Sequence, residues 1–258
     1  GWVKNENLLL LENMQILDEF SEGIILNAYT EYFENSDKTG FLGTLRMGSK
    51  VFIDTTYTDT VMCRILKPDC KSSGYAYINR DEIITKPKKI SSRNLIYDAF
   101  KWLNYPYGWG DTNQFVDCSK FIQNLYALYG IVLPRNGMAQ GNSWENLYNP
   151  QGGSVDFLIS QNAIPGMTLI RFPGHIMLYL GQIKGKPYVI HSIYRYVQED
   201  YGIVTSRVTN RVVVSDLSLM KGQDRKTISD RITQIINPGK TNRNLNKTKI
   251  EENHEKTN

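Results

Sequence analysis

The fold is decided by residues 117–130, which read DCSKFIQNLYALYG. The apolar residues of this stretch recur at the spacing of one helix face, namely Phe121, Ile122, Leu125, Tyr126 and Tyr129. Gly130 follows where a helix commonly ends. Cys118 therefore falls in the first helical turn, where free backbone amides and the positive end of the helix dipole favour an anion. The thiolate is the nucleophilic form of cysteine, so this position predicts a reactive thiol rather than an inert buried one.

Helical patterns precede strand patterns in the C-terminal part of the chain. A helix is predicted around Leu95–Leu103, with Ser91 or Ser92 as its N-cap, and another lies between Met138 and Leu147. Beyond Pro165 we predict four strands and a closing helix, namely strands at Met167–Arg171, His175–Leu180, Pro187–Ile193 and Arg211–Val214, and the helix at Ser229–Ile236. This order predicts an α+β domain.

The N-terminal part has the texture of a small β domain. Four short runs there read as strands, at Phe41–Met47, Lys50–Thr56, Thr60–Leu66 and Gly74–Ile78. The segment Leu8–Phe20 reads as a short helical or irregular apolar stretch, and Lys86–Lys89 as a linker. Gly1-Trp2-Val3 echoes Gly74-Tyr75-Ala76, which would make the first residues the last strand of a preceding barrel unless the echo is a coincidence.

These patterns give four predicted regions. Residues 1–20 are a remnant of a preceding small domain with a linker, and residues 21–89 a small barrel or sandwich. Residues 90–237 are the α+β domain, and the polar stretch 238–258 is expected to be disordered.

Composition excludes several classes of protein. The 258 residues are 41% hydrophobic and 22% charged, which is typical of a soluble globular protein. The net charge of +4 comes without a dense Lys/Arg stripe, so no nucleic-acid partner is expected. Apolar runs such as Ile176–Leu180 are too short to span a bilayer, and no leader of the secretory kind opens the chain.

The three cysteines are an odd number. Cys63 and Cys70 bracket a turn-like stretch and either close a small disulfide loop or remain two free thiols. Cys118 is then left over, which also makes it the candidate reactive thiol.

Two of the three histidines fall in adjacent strand patterns. His175 and His191 are separated by a turn at residues 181–186. A hairpin centred at Ile183 would place the two imidazoles opposite each other, and one centred at Lys184 would make them diagonal neighbours on one face. Each histidine alone would favour a structural role, but the pair together with Cys118 favours catalysis.

Cys118, His175 and His191 together predict nucleophilic catalysis at a carbonyl group. His175 takes the thiol proton, Cys118 attacks, and His175 returns the proton to the leaving amine. His191 would fix the tautomer of His175, and the backbone amide of Cys118 would help to hold the oxyanion. A zinc site is the alternative, but the spacing matches no compact zinc motif, so neither a metal nor another cofactor is expected.

Several motifs resemble those of the NlpC/P60 cell-wall peptidases. They are Tyr107-Gly108-Trp109-Gly110, Asp117-Cys118-Ser119-Lys120-Phe121, Leu133-Pro134-Arg135, Gln140, Gly174-His175-Ile176 and His191-Ser192. The resemblance spans about residues 90–237. It implies a papain-like α+β domain with a Cys-His-His triad that cuts peptidoglycan stem peptides between D-glutamate and the diamino acid. The preceding region resembles the bacterial SH3-like (SH3b) β-barrels that often accompany such domains.

The resemblance also implies roles for other residues of the cleft. Tyr107 matches a tyrosine near the oxyanion, and Asp117 and Ser119 match positions that hold the free amine of L-Ala in members preferring trimmed peptides. From the residues alone, Asp117 is also a helix cap and Tyr107 a packed turn aromatic. Arg135 and Gln140 are expected to be structural.

Two positions depart from the family pattern. Asp111 stands where a second glycine is common, and Gly137 where a small hydroxyl residue is usual. Both departures would alter the cleft and therefore the substrate preference.

The resemblance further implies peptidoglycan or muropeptides as partners and a periplasmic, secreted or envelope location. A non-catalytic wall-binding protein and an acyltransferase on the same fold remain alternatives. The intact set of one cysteine and two histidines argues against the first.

Overall fold

The structure is a computed structural model that describes residues 21–66, 73–149, 151–220, 222 and 224–238. The predictions for residues 1–20, for Cys70 and for the tail from Gly239 lie outside the described residues. Within the described part of the chain, no helix is both long and apolar enough to cross a membrane. The chain divides into two compact units, one holding the described residues up to Lys89 with 124–131, and the other holding Ile90–Gln123 and the residues from Val132 onward.

The first unit contains an antiparallel sheet. Its strands are β1 (Ser21–Ile25), β2 (Thr30–Phe33), β3 (Phe41–Leu45), β4 (Lys50–Thr56), β5 (Thr60–Leu66), β6 (Ser73–Asn79) and β7 (Ile83–Ile84). Their order in the sheet is β3-β2-β6-β5-β4-β1-β7 among the described residues. Alternate apolar residues of β4 and β5, such as Ile53 and Cys63, pack into one core.

The sequence located four of these strands. The runs predicted at Phe41–Met47, Lys50–Thr56, Thr60–Leu66 and Gly74–Ile78 correspond to β3, β4, β5 and β6, with ends that differ by at most two residues. The further assignment of residues 21–89 as an SH3-like barrel stays a prediction.

The second unit combines helices with a second antiparallel sheet. The helices are α1 (Ser92–Phe100), α2 (Cys118–Ala127, of which residues 124–127 are grouped with the first unit), α3 (Gly137–Asn142) and α4 (Val155–Asn162). The strands are β8 (Leu169–Phe172), β9 (His175–Ile183), β10 (Lys186–Asp200), β11 (Ile203–Asp216) and β12 (Gln234–Ile236), in the order β11-β10-β9-β8-β12. Helices thus precede strands, as the α+β prediction requires.

The start of α1 and the end of α2 have identifiable caps. The Ser91 hydroxyl accepts a hydrogen bond from the Asn94 amide and begins α1. Gly130 has a φ of +71°, and the amide of Ile131 donates to the Tyr126 carbonyl, so the chain turns away after α2 as glycine at that position predicts.

One prediction in the second unit needs correction, and one helix was missed. The closing helix predicted at Ser229–Ile236 is wrong, because the segment forms a single 3-10 turn at Ser229–Arg231 and then strand β12. Strand β12 pairs with β8 and buries Ile235 and Ile236, so a strand partner decided the conformation of a short β-branched run. Helix α4, which begins at the Ser154 cap, was not predicted.

A bulge in the β9–β10 hairpin sets which side chains share a face. The register pairs Gly181 with Tyr188 but Tyr179 with Val189, so Leu180 is an extra residue in β9. Beyond the bulge the pairing extends from Ile190 and Leu178 to place His191 opposite Met177, two residues from His175. Without the extra residue His191 would lie opposite Leu178, and His175 would point to the other face. The hairpin is therefore centred at Lys184 in this region, and the two histidines are diagonal neighbours.

Gly181 allows the bulge to form. Its φ of +126° lies in a region that residues with a side chain rarely adopt, while an added Cβ would meet Pro165 at an ordinary 3.7 Å. We predict that Gly181→Ala lowers the free energy of unfolding by about 1–3 kcal/mol through backbone strain. Urea unfolding measures this change.

The matched control is Gly137→Ala, since Gly137 lies in α3 and an added Cβ would meet Ile176 at 3.4 Å. This variant should be neutral or slightly more stable, because alanine favours a helix more than glycine does. Equal stabilities of the two variants would contradict the role given to Gly181.

Candidate active site

Asp117 fixes the start of the helix that carries the thiol. Its Oδ1 accepts a hydrogen bond from the Lys120 amide at 2.8 Å, and its carbonyl accepts one from the Phe121 amide at 3.0 Å. Asp117 is therefore the N-cap of α2, and Cys118 is its first residue. The backbone amide of Cys118 belongs to the end of the helix that attracts anions, as the sequence predicted.

The two histidines form a buried pair. Nε2 of His175 and Nδ1 of His191 are 2.7 Å apart and share a hydrogen bond. His175 is 4% exposed and His191 is fully buried. The bond engages Nε2 of His175, so a proton from a neighbouring group would be accepted at Nδ1.

The candidate residues meet at one cleft. A cavity of about 1260 Å³ is lined by Tyr107, Asp117, Cys118, Ser119 and His175 among others. His191 does not line it and is joined to it through His175. The structure thus brings together all six residues that the sequence singled out, five on the wall and one buried next to the wall.

A buried hydrogen bond ties the segment before Cys118 to the strand of His191. The hydroxyl of Ser192, which is fully buried, donates to the carbonyl of Val116 at 2.7 Å. Val116 lies two residues before Cys118, and Ser192 follows His191 directly. This bond therefore limits how far the thiol and the histidine pair can move apart.

Arg135 binds both polar neighbours of the cysteine. Its two terminal nitrogens donate to the two carboxylate oxygens of Asp117 at 3.1 and 2.7 Å. Nη1 also donates to the Ser119 hydroxyl at 3.0 Å, and that hydroxyl donates to Asp117 at 3.0 Å. The side chains of Asp117 and Ser119 are thus both bound to Arg135. The Arg135 side chain is 40% exposed and lines the cleft.

These contacts set the charge of Asp117. Burial alone would raise the pKa of this carboxyl, but hydrogen bonds from Arg135, from the Lys120 amide and from Ser119 outweigh it, and the net pKa is lowered. Asp117 is therefore ionised at neutral pH and forms a bidentate ion pair with Arg135.

Tyr107 keeps its proton. Burial and the negative charges of Cys118 and Asp117 raise the pKa of the Tyr107 hydroxyl to about 12. The ring packs against Tyr194 with centroids 5.8 Å apart. The hydroxyl is therefore available as a hydrogen-bond donor at the cleft throughout the physiological range.

Two guanidinium groups lie near enough to feel the charge of the thiol. The hydrogen bond to Asp117 is the main cause that raises the pKa of Arg135, and the charge of ionised Cys118 adds to it. Burial lowers the pKa of Arg171, and the charge of Cys118 partly offsets this lowering. By reciprocity both cations favour the thiolate form of Cys118. Arg171 lines the cleft from β8 and donates to Gln234 at 2.6 Å.

Cys63 has the opposite environment. It is a free cysteine in the core of the first sheet, and burial raises the pKa of its thiol to about 12. Such a thiol stays protonated and unreactive. Of the two described cysteines, only Cys118 therefore has the surroundings of a nucleophile.

The histidine geometry does not fit the zinc alternative. Two ring nitrogens 2.7 Å apart point at each other in a hydrogen bond, whereas zinc ligands point at the metal. Across the described ranges, no group of three or more His, Cys, Asp or Glu side chains is arranged to hold a metal ion.

The chain is similar to known proteins. Residues 104–218 match the model of the NlpC/P60 family. The chain is 26% identical over 145 residues to the bifunctional muramidase/DL-endopeptidase CwlT of Bacillus subtilis. This alignment covers 54% of the chain and 39% of that protein. It is also 26% identical over 153 residues to a γ-D-glutamyl-L-lysine dipeptidyl-peptidase of Bacillus cereus. That alignment covers 55% of the chain and 43% of the relative. The family model and these relatives support an NlpC/P60 cell-wall peptidase domain.

Solved structures show the same fold. An NlpC/P60 endopeptidase of Photobacterium damselae superposes with a TM-score of 0.67 at 15% identity, over 89% of this chain and 56% of that one. An NlpC/P60 family protein of Bacillus cereus gives a TM-score of 0.59 at 16% identity, over 86% and 65%. The chain spans about two fifths of the length of the two curated relatives, 39% and 43%. The predicted domain at 90–237 contains the matched residues, and its boundaries stay a prediction.

The structure explains one departure from the family pattern. Asp111 has a φ of +78°, a conformation that glycine adopts freely and that costs other residues energy. Asn113 and Gln114 in the same 3-10 segment also have positive φ values. This strained segment forms part of the cleft wall.

Other residues at or next to the cleft were not predicted from the sequence. Arg171 and Tyr194 line the cleft, and the Ser215 hydroxyl contacts Nε2 of His191 at 3.1 Å. The strand pattern put Arg171 at the end of a predicted strand but did not indicate that its side chain lines the cleft with Cys118. No local signal pointed to Ser215, because its contact depends on the register between β10 and β11.

The Asp117–Arg135 ion pair makes a prediction about acid stability. A carboxyl whose pKa is lowered in the folded state stabilises the fold above its unfolded pKa of about 3.9, and this contribution is lost as the pH falls through the folded value. Asp117→Asn keeps a capping side chain but removes the charge. It should lower the free energy of unfolding by about 1–2 kcal/mol near pH 7, and the difference from wild type should narrow below about pH 4.

Urea unfolding at both pH values measures this effect. Arg135→Gln is the matched control, since it removes the other half of the pair, and the double variant should cost less than the sum of the two single variants. Additive effects, or an equal gap between wild type and Asp117→Asn at both pH values, would contradict the ion-pair account.

Proposed function

We propose that the chain is a cysteine peptidase that hydrolyses peptidoglycan stem peptides through Cys118, His175 and His191. The observation that carries the proposal is the hydrogen bond between the two buried histidines, made at a cleft whose wall also holds a cysteine at a helix start. A hydrogen-bonded pair of this kind gives one imidazole a defined orientation, which a general base requires.

The first half of the reaction forms an acyl-enzyme. Nε2 of His175 is engaged with His191, so Nδ1 of His175 takes the proton from the Cys118 thiol. The thiolate attacks the scissile carbonyl carbon, the carbonyl oxygen takes the negative charge, and the C–N bond then breaks as His175 returns the proton to the leaving amine. The thioester retains the acyl part of the peptide on Cys118.

The second half releases that acyl part. His175 takes a proton from a water molecule, whose oxygen attacks the thioester. The C–S bond breaks to give a carboxylic acid, and His175 returns the proton to the leaving Cys118 sulfur. The Cys118 amide and the protonated Tyr107 hydroxyl are the donors we assign to the oxyanion in both halves.

The names of the relatives support the substrate class. One is a DL-endopeptidase and the other a γ-D-glutamyl-L-lysine dipeptidyl-peptidase. We therefore propose the bond between γ-D-glutamate and the diamino acid as the site of cleavage. The muramidase activity in the first name is not transferred, since only 39% of that protein aligns with this chain.

The part of Asp117 and Ser119 in substrate binding differs from what the resemblance implies. Both side chains already bind Arg135, so a free L-Ala amine would have to compete with a guanidinium for the same oxygens. We propose that they hold Arg135 at the cleft and that the guanidinium contacts the substrate. Stem peptides with a blocked L-Ala amine should then be cleaved as well as those with a free one.

The remaining assignments complete the proposal. Residues 21–89 would act as an SH3-like unit that adds affinity for the wall, residues 90–237 as the catalytic domain, and the location would be the cell envelope. A non-catalytic wall-binding protein and an acyltransferase on the same fold are the competing functions. Neither would release a free carboxylic acid from a muropeptide.

The test is incubation with defined muropeptides, read by mass spectrometry. Wild type should release a product that ends in D-glutamate, and Cys118→Ala should release none. His175→Ala should lower kcat/KM more than His191→Ala, because the first removes the base and the second only its orientation. Cys63→Ala is the matched control and should retain activity. Equal and minor effects of both histidine variants would contradict the triad.

The same assay tests the assignment of Arg135. Muropeptides with a free and an acetylated L-Ala amine should give kcat/KM values within about threefold of each other, because no interaction with the amine is lost. A strict requirement for the free amine would overturn this assignment and restore the role that the resemblance implies.

A further inference from the structure

Ser215 of β11 lies at the end of a hydrogen-bonded line that begins at the cleft wall. His175 contacts His191 at 2.7 Å, and Nε2 of His191 contacts the Ser215 hydroxyl oxygen at 3.1 Å. The register of β10 and β11 pairs His191 with Val213, so Ser215 is the diagonal neighbour of His191 on the same face. The three side chains therefore come from three adjacent strands, β9, β10 and β11.

The direction of this line follows from the task of His175. To accept a proton at Nδ1, neutral His175 must carry its hydrogen on Nε2, which then donates to Nδ1 of His191. His191 must accept at Nδ1, so its own hydrogen is on Nε2 and donates to the Ser215 hydroxyl oxygen. The opposite direction would put the hydrogen of His175 on Nδ1 and prevent it from taking the thiol proton.

We propose that Ser215 is a positioning residue whose hydroxyl oxygen accepts Nε2–H of His191, which stabilises the tautomer of His191 that keeps Nδ1 of His175 ready to accept a proton. This inference rests on the proposed function for its biological meaning. Ser215 acts through His191 and does not line the cleft, so it is not assigned a contact with substrate.

The same line stabilises the ion pair between the Cys118 thiolate and protonated His175. In that state Nε2–H of His175 donates to Nδ1 of His191, and the lone pair needed there exists only in the Nε2–H tautomer of His191, whose hydrogen the Ser215 oxygen accepts. Charged and titratable groups near the thiol include Arg171 of β8, Arg135, Asp117 of the α2 cap and Tyr107, and Arg195 of β10 lines the same cleft. Substitution of Ser215 leaves all of them in place.

Thr and Val at position 215 provide a matched pair of variants. They have nearly the same shape, and both favour strands, but only threonine retains a hydroxyl. Ser215→Thr therefore controls for the added volume, and Ser215→Val tests the hydroxyl. Ser215→Ala serves as a second hydroxyl-free variant if the valine protein does not fold.

The primary measurement is the rate of Cys118 alkylation by iodoacetamide as a function of pH, in the full chain with Cys63 and Cys70 replaced by alanine. In Ser215→Val the rate near neutral pH should fall by about threefold to tenfold, as expected for one hydrogen bond coupled to a charged group. The acid limb of the profile should move to higher pH, and Ser215→Thr should behave like the parent protein.

The second measurement is the ¹⁵N chemical shift of the His191 ring nitrogens. The chain has only three histidines, which makes their assignment tractable. Parent and Ser215→Thr proteins should show a protonated Nε2 and an unprotonated Nδ1, and Ser215→Val should show a mixture. Identical profiles and ring shifts in all variants, or equal losses in the threonine and valine proteins, would overturn the proposal.

Neither measurement requires peptidoglycan. If the wild type cleaved no muropeptide while Ser215→Val still changed the alkylation profile and the ring shifts, the proposed function would fail and the inference about Ser215 would stand. If muropeptides were cleaved and Ser215→Val behaved like Ser215→Thr, the proposed function would stand and the inference about Ser215 would fail.

Discussion

The hydrogen bond between His175 and His191 is the interaction on which the rest of the site depends, and it exists because of one extra residue in a strand. Leu180 shifts the register of the β9–β10 hairpin and turns His175 to the face that holds His191. A change of one residue in register exchanges the two faces of a strand, so no adjustment of side chains could replace the bulge. The position of Gly181 beside Leu180, at a φ that glycine tolerates, makes the bulge cheap in energy.

The electrostatics of the cleft favour a thiolate at Cys118. The helix start, Arg135 and Arg171 each bring positive charge or partial charge near the sulfur. Asp117 would oppose this effect as a lone anion, but its ion pair with Arg135 largely neutralises it. The same carboxylate caps the helix, so one residue both orients the nucleophile and holds a cation beside it.

The sequence predicted those features that depend on local periodicity. The spacing of Phe121, Ile122 and Leu125 located α2 and placed Cys118 at its start, and alternation located β3–β6. The prediction failed where a partner strand decides the conformation, as at β12, and it missed helix α4. The hairpin centre could be narrowed only to Ile183 or Lys184, since a bulge leaves no mark in the pattern of polar and apolar residues. Ser215 and the Arg135–Asp117 ion pair were missed for a similar reason, because both contacts join segments that are distant in sequence.

The central claim is that cleavage proceeds through a thioester on Cys118, and trapping that intermediate tests it most directly. Wild type would be mixed with a γ-D-glutamyl–diamino acid muropeptide, quenched in acid at a series of times and digested at low pH for mass spectrometry. The account predicts an acyl fragment ending in D-glutamate on the peptide that contains Cys118, which appears before the released acid reaches its final level. Release of the acid with Cys118 unmodified at every time, and at an undiminished rate in Cys118→Ala, would contradict it.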